Sequence, residues 1–527
     1  MTSAAAVLGR VGIPAPLREL ARTPWDAVVV GAGHNGLTAA AYLARAGRSV
    51  LVLEARERIG GACTLTEPWP GYRVSPCAYL AGLLHPKVIA DLELVRRGFR
   101  WLPVEGGLFV PFEDGTSIQL WEDEDRLAAE LDAFAPGDRQ GFEKLAELKR
   151  RVVEAIRPPD ERDLWLHPAP TREELAERVG HDEEALGLLF TWSQAELVGR
   201  YLTDERLQRA LWGQGVIGTN ATPFDAGTAS IHLHHASGRV DPDRPGVWGF
   251  VAGGMGTVSF LLHDAAVEYG AVVAAGVPVA EVVPGEGVVL DDGTSIRAHD
   301  VLIGADPRVA RRLLGDHADA GWAAEVEAVP MRGNTVKVTL ALDAPPRFTA
   351  RPDTREHLTA QLNTPLTEAQ WREGFATAQG GELPEWLWTE DYLQTAYDPS
   401  IAPHGRHLLS VFAQPVPYEL VGGWDARRDE VAELAIASIG RFCDGFADSV
   451  VEVEVLGPPD IEREVGLSGG HIFQGECLPD HMWDRRLSAD TPMEGVWLCG
   501  AGTYPGGSVM AVNGHNAAAM VLAARRE

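Results

Sequence analysis

Apolar and polar positions follow several different rhythms along this chain of 527 residues. Val28 to Val30 is a continuous apolar run, the pattern of a strand buried on both faces. An alanine-rich helical stretch follows, and Leu51-Val-Leu reads as a second buried strand, so residues 25–62 predict a βαβ unit. The stretch Pro68 to Pro86 is rich in Pro, Gly and Tyr and predicts an irregular loop. Residues 122–215 are mostly helical in pattern. The Pro158-Pro159 and Pro168–Pro170 segment interrupts them as a loop or lid. A glycine-rich stretch, Gly246 to Gly256, leads into a helix from Thr257. Short strands follow at Ala271–Ala274 and Ala280–Val283, then a hairpin from Val288 to Ile296, then a separate buried strand from Val301. Further on, Thr335–Leu342, His407–Phe412 and Val451–Val455 read as strands, with a helix near 428–442. Val496 to Cys499 is a last strand, and Asn513 offers an N-cap to a final helix. No internal repeat is evident.

The first βαβ unit carries chemistry. Gly31-Ala32-Gly33-His34-Asn35-Gly36 joins strand to helix, and Glu54-Ala55-Arg56 ends the second strand. Gly31 permits the tight turn, Gly33 lets the backbone approach phosphate, and Gly36 lets helix and strand pack closely. The helix start offers free N–H groups and a positive dipole end to an anion. Glu54, about 20 residues on, can accept bonds from ribose hydroxyls. Such a glycine string alone is weak in a chain with 57 glycines. The flanking strand, helix and acid favour a dinucleotide site over a surface turn. A second strand and glycine turn, Gly500-Ala-Gly502, lies at the far end of the chain. Two separated segments converging on one ligand suit a long buried cofactor, so FAD is expected rather than NAD.

The predicted fold is α/β with an α+β second domain. After a tail (1–24), segments 25–100, 240–330 and 460–527 form a discontinuous Rossmann-type FAD-binding domain. Segments 101–239 and 331–459 form a substrate-binding domain with a mixed sheet and a helical subdomain.

Gly31 to Gly61, including Glu54-Ala-Arg-Glu-Arg-Ile-Gly60-Gly61, resembles the FAD-binding signature of the phytoene desaturase, amine oxidase and GDP-dissociation-inhibitor superfamily. Within it the chain is most similar to phytoene desaturase-like oxidoreductases of the pyridine nucleotide-disulfide oxidoreductase domain-containing protein 2 group. The blocks Gly253–Thr257, Gly469–Glu476 and Leu498–Met510 extend the likeness over nearly the whole chain. The resemblance implies roles. Gly31, Ala32, Gly33, Asn35 and Gly36 would surround the pyrophosphate. Glu54 would bind the ribose, with Ala55 and Arg56 nearby, and Val279 would present its backbone to adenine. Gly60, Gly61 and Ala62 would pass the flavin. Gly502, Gly506, Gly507 and Ser508 would approach the isoalloxazine edge, and Val512 and Asn513 would open the final helix toward the flavin N1–C2=O locus. Many relatives carry Arg where this chain has Ala62. The string Gly60-Gly-Ala-Cys63 superficially resembles a disulfide reductase. Position 68 is Pro, so the second cysteine of that redox pair is missing.

The implied activity is hydride transfer from a substrate C–H bond to flavin N5 in a desaturase or oxidase, with electrons passing to oxygen or a quinone. The alternatives are a flavin-dependent isomerase without net redox and a non-enzymatic ligand-binding member of the fold. Candidate catalytic residues are His471, Tyr504 and His234. Alternation would place His232 and His234 on one face of a strand, although structural histidines are the favoured reading there. Glu476 accompanies His471, a packing role competes for Tyr504, and His34 reads as a conformational or phosphate contact.

Composition narrows the partners. A net charge of -29 argues against nucleic acid and against a polybasic membrane contact. The expected substrate is a small molecule, apolar or partly so. Five scattered cysteines without a CxxC pair suggest no metal site and a reducing compartment. The basic tail lacks a secretion-signal core. A cytoplasmic enzyme is expected, with organelle targeting as the alternative. Oligomeric state is undecided by sequence, a homodimer being one option.

Overall fold

The apolar run near the N-terminus becomes the centre of a parallel sheet. The computed structural model describes residues 3–525. Strands Trp25–Val30 (β1), Val50–Glu54 (β2), Val272–Ala275 (β3), Ser295–Ile303 (β4) and Val496–Leu498 (β5) pair in parallel in the order β3-β2-β1-β4-β5. Val29, Val50 and Val52 face the alanine-rich helix His34–Arg45 (α1) on one side. Val28, Val30, Leu51 and Leu53 pack on the other side with Ala310 and Leu314. Burial on both faces is why these strands read as unbroken apolar runs. The strand order reverses between β1 and β4, and a doubly wound sheet binds its ligand at that point, outside the carboxyl ends.

One expectation is corrected here. The hairpin near Ile296 and the buried strand at Val301 are a single strand, β4. Its first half is antiparallel to Gly287–Leu290 and its second half is parallel to β1. Exposure alternates from Ser295 to Asp300 and then stops, as Val301 to Ile303 are all buried. The change of rhythm within one strand mimics two elements.

A second sheet has the order Val450–Leu456, Val336–Leu342, His407–Gln414, Trp388–Leu393, Gln361–Thr364, Leu108–Pro111, Ser117–Leu120. One face, with Val338, Leu340, Leu409 and Val411, packs under helix Trp424–Gly440. The other carries Lys337, Glu390, Tyr392 and Ser410, all buried. Helices between Glu124 and Trp212 share a separate core built on Leu145, Leu148, Leu188, Leu197 and Leu211.

The tail docks. Gly9 and Gly12 accept the N–H groups of Ile59 and Ala275 at 3.0 and 2.9 Å. The proline-flanked segment is also pinned: Trp165 is buried, and its carbonyl accepts the Asn516 amide at 2.7 Å. No helix among the described residues is long and apolar enough to cross a membrane.

Candidate functional site

The turn after β1 is shaped by its glycines. Gly31 has φ +102°, in the left-handed region. A Cβ on Gly36 would lie 2.2 Å from the Gly31 carbonyl oxygen, so α1 can approach the turn only with glycine there. Gly33 is the N-cap of α1 and supplies no side-chain cap. A Cβ on it would meet only the Gly61 Cα, at 3.9 Å. The first N–H of this helix to reach a backbone carbonyl is that of Leu37, bonded to Gly33. His34 Nε2 and Asn35 Oδ1 are buried without a hydrogen-bond partner. Free donors, an open Cα and orphaned polar atoms at one helix start fit a pyrophosphate.

Glu54 closes over this turn. One carboxylate oxygen accepts the Ala32 N–H at 2.8 Å and the other accepts from the Arg56 backbone and guanidinium at 3.1 and 3.3 Å. Ala55 beside it is exposed. The Glu54 and Arg56 carbonyls accept from Val277 and Gly276 at 2.8 Å each, so the segment leading to Val279 lies alongside. Gly60 donates to the Ala32 carbonyl at 2.8 Å. Ala62 packs with Cys77, Leu456 and Ile472 at the junction with the second sheet.

The C-terminal segment meets the same place. Gly502 donates to the Gln474 side chain at 2.9 Å, and a Cβ on it would strike the Pro307 ring. Gly507 presses on Phe473. Gly506 (φ +114°), Ser508 (φ +108°) and Ala511 (φ +62°) wind the turn into helix Val512–Ala524. Ser508 and Ala511 are strained as non-glycine residues there, by about 1–3 kcal/mol each. Burial of the His34 ring lowers its pKa to about 4, against the opposing influence of the Ser508 backbone. Near Gly514, a Cβ would lie 2.1 Å from the Asn35 carbonyl oxygen. Two helix starts therefore abut, and both lack a side-chain cap. Asn513 is not the N-cap expected from sequence. The cap is Ala511, whose left-handed backbone starts the helix at Val512. Asn513 turns its amide back onto the Thr503 and Gly506 carbonyls at 3.0 and 3.3 Å, leaving Oδ1 without a partner.

The histidine run is a helix, Ala229–Ala236 (α2), not a strand. A helix turns 100° per residue, so His232 and His234 point apart. His232 lies between Lys149 and Gln194, at 3.1 and 3.0 Å. His234 donates from Nε2 to the Gly507 carbonyl at 3.3 Å, and burial holds its pKa down at about 3. Tyr504 is buried, and its hydroxyl donates to the Leu164 carbonyl at 3.1 Å. His471 accepts the Phe473 N–H on Nδ1. Its Nε2 lies 3.9 Å from Glu476 and makes no hydrogen bond. Burial pushes the Glu476 carboxyl up, but His471, the Thr219 hydroxyl and the Asn220 N–H pull it further down, to about 2. Of the three candidates, His234 contacts the glycine turn through Gly507, Tyr504 belongs to the turn and ties it to Leu164, and His471 braces the segment at Phe473.

Sequence reasoning missed a polar patch on the buried face of the second sheet. The Lys337 ammonium lies 4.4 Å from the centre of the Tyr79 ring, and the Tyr79 hydroxyl donates to Glu390 at 3.2 Å. The Gln361 side-chain amide donates to the same carboxyl at 3.3 Å. The patch adjoins the glycine segment, because Ala78, next to Tyr79, donates to the Ala62 carbonyl at 3.1 Å. Burial lowers Lys337 to about 7 and raises Glu390 to about 7, the latter against the tyrosine hydroxyls. The available signal was a lone lysine inside the apolar run Val336–Leu342. Because the fold favours the neutral carboxyl, Glu390 costs stability that grows as pH rises from the usual carboxyl range to about 7. Glu390→Gln is expected to gain stability on the order of 2 kcal/mol above that window and none at acidic pH. Thermal unfolding across pH checks this, and a uniform gain at every pH contradicts it.

Comparisons with known proteins bear on this geometry. A family model described as an NAD(P)-binding Rossmann-like domain matches residues 29–87. The chain is 31% identical to the mouse pyridine nucleotide-disulfide oxidoreductase domain-containing protein 2, over 94% of this chain and 93% of that protein. It is 25% identical to a lycopene-forming phytoene desaturase of Pseudescherichia vulneris, over 92% and 96%. A solved structure of an engineered putrescine oxidase shares the fold with a TM-score of 0.60 at 18% identity, covering 95% of this chain and 99% of that one.

Proposed function

Since the chain belongs to the family of pyridine nucleotide-disulfide oxidoreductase domain-containing protein 2, within the amine oxidase-like oxidoreductases, we propose that it is an FAD-dependent desaturase or oxidase. One observation carries this reading: three glycine-bearing segments, at Gly31–Gly36, Gly60–Ala62 and Gly502–Ser508, converge on two abutting, uncapped helix starts. Glu54 and the segment at Val279 would hold the adenosine end, the start of α1 the pyrophosphate, and the C-terminal turn the flavin. FAD, when bound, supplies the hydride acceptor.

The chain's own residues do the rest. His234, kept neutral by burial, fixes the Gly507 carbonyl. Asn513 locks the Thr503–Gly506 turn. The Lys337–Tyr79–Glu390 patch holds or accepts a proton near neutral pH, as removal of a second hydrogen beside the oxidised carbon requires. The substrate is a small to medium, partly apolar molecule, and electrons leave to oxygen or a quinone.

The purified protein is expected to be yellow and to bleach without oxygen when its substrate is added. A colourless protein that FAD does not reconstitute sinks this proposal and favours a ligand-binding role. Turnover seen only with pre-reduced flavin instead favours an isomerase.

A further inference from the structure

Arg486 is buried beneath the C-terminal glycine turn, 7% exposed. Its guanidinium is spent on backbone carbonyls. Nε donates to Thr503 at 3.3 Å, Nη1 to Glu476 at 3.0 Å, and Nη2 to both Phe473 and Ala501 at 2.8 Å. No carboxylate among the described residues forms an ion pair with it. The nearby Glu476 side chain is turned away, its oxygens occupied by the Thr219 hydroxyl and the N–H groups of Asn220, Cys477 and Leu478. Its neighbour His234 is neutral. A Cβ placed on Gly506 would lie 3.7 Å from Arg486 Nε, so the charge lies directly under that turn.

A buried cation without a counter-charge costs several kcal/mol in desolvation, which carbonyl dipoles offset only in part. The start of the final helix adds a partial positive charge a few residues further along the same turn. Two positive features of independent origin thus converge on one locus. Mere fastening of these loops does not need a net charge. Stabilising negative charge on a group laid against the turn does.

We infer that Arg486 is a positioning residue with a redox role: it supplies the fixed positive charge that favours the reduced, negatively charged form of a flavin held at Gly502–Ser508. The inference rests on the FAD reading above. It predicts a flavin of raised potential, one that also adds sulfite, since sulfite addition likewise places negative charge on the ring.

The test uses the FAD-loaded full chain. The wild type is expected to bleach reversibly with millimolar sulfite. Arg486→Gln, which keeps hydrogen-bond donors but loses the charge, is expected to bind sulfite at least tenfold more weakly. Its two-electron midpoint potential should fall by about 30 mV or more, the equivalent of that factor. Arg486→Lys, which keeps the charge, should stay close to wild type in potential even where it unfolds earlier. The inference is overturned if the loaded wild type ignores sulfite, or if Arg486→Gln loads FAD and keeps its potential. If Arg486→Gln fails to fold, a wild type that ignores sulfite still overturns the inference, and Arg486→Met, which also lacks the charge, replaces it in the potential measurement. A chain that never binds FAD refutes the proposed function itself, a different outcome from either.

Discussion

Gly36→Ala is expected to weaken the proposed flavin loading strongly, by up to about a hundredfold in affinity, while leaving most of the fold in place. The added Cβ would stand 2.2 Å from the Gly31 oxygen, 3.3 Å from the Gly31 carbonyl carbon and 3.3 Å from a Val29 methyl. Two of these atoms belong to the backbone of the turn, so no rotamer change relieves the clash. Helix α1 must retreat from the turn, and its free N–H groups retreat with it. Overpacking of this kind costs about 1–3 kcal/mol. If that falls on the bound state, FAD affinity drops by up to about a hundredfold. Gly199 is the control. It lies in helix Gln194–Tyr201, and a Cβ there meets nothing within 4 Å. Gly199→Ala is expected to be neutral or stabilising by up to about 1 kcal/mol. Flavin content of the purified proteins and FAD titration of the apoproteins check both. Equal flavin occupancy in the two variants would mean that contact between α1 and the turn does not shape the site.

The glycine turn proposed to hold the dinucleotide is legible from sequence because its logic is local. Turn, helix start and closing acid fall within the stretch from Gly31 to Glu54, and each glycine has a steric reason of its own. The C-terminal half is legible for the same reason, as a strand followed by a glycine turn. What sequence does not disclose is set by contacts between distant segments. Strands Gln361–Thr364 and Trp388–Leu393 escape a hydrophobic-pattern reading because their buried positions include Asn363, Glu390 and Asp391. Tyr79 meets Glu390 from a distant segment, Gln361 reaches Asn363 on its own strand and Glu390 on the next, and Thr389 meets Asp391 two residues along its strand. Helix α2 has eight residues, too short for a helical period to override the alternation of Ile231-His-Leu-His. In sequence Arg486 is one of several charged residues between Asp480 and Asp490. Only the four carbonyls converging on it reveal that its charge is buried.

Asp163→Asn is the second large effect, and it tests how the proline-flanked segment supports the site. Asp163 accepts from the Arg157 guanidinium at 2.9 to 3.2 Å, from His85 Nε2 at 3.2 Å and from the Trp165 N–H at 3.0 Å. Lys87 donates to His85 Nδ1, so the proton is on Nε2 and points at the carboxylate. All three side chains are nearly inaccessible, and Arg157 also stacks 3.5 Å from the Trp165 ring centre. An asparagine offers one acceptor oxygen and turns an NH2 group toward donors. Arg157 is then a buried charge without a partner, a loss of about 3–5 kcal/mol. Replacing both members by Arg157→Met and Asp163→Leu leaves no stranded charge and should cost less than the single change. The pH dependence has a definite sign. Burial raises the Asp163 carboxyl, but His85 and Arg157 together hold it well below the usual carboxylate range. Its stabilisation is therefore present above that range and is lost only as pH falls through its depressed value. Urea unfolding of wild type and Asp163→Asn should differ most at neutral pH and converge in strong acid. The damage should also reach the C-terminal glycine turn, because Trp165 packs against His234 at 5.4 Å between rings, and His234 holds Gly507. A variant as stable as the wild type at neutral pH would show that the Arg157–Asp163–His85 network is not what holds this wall in place.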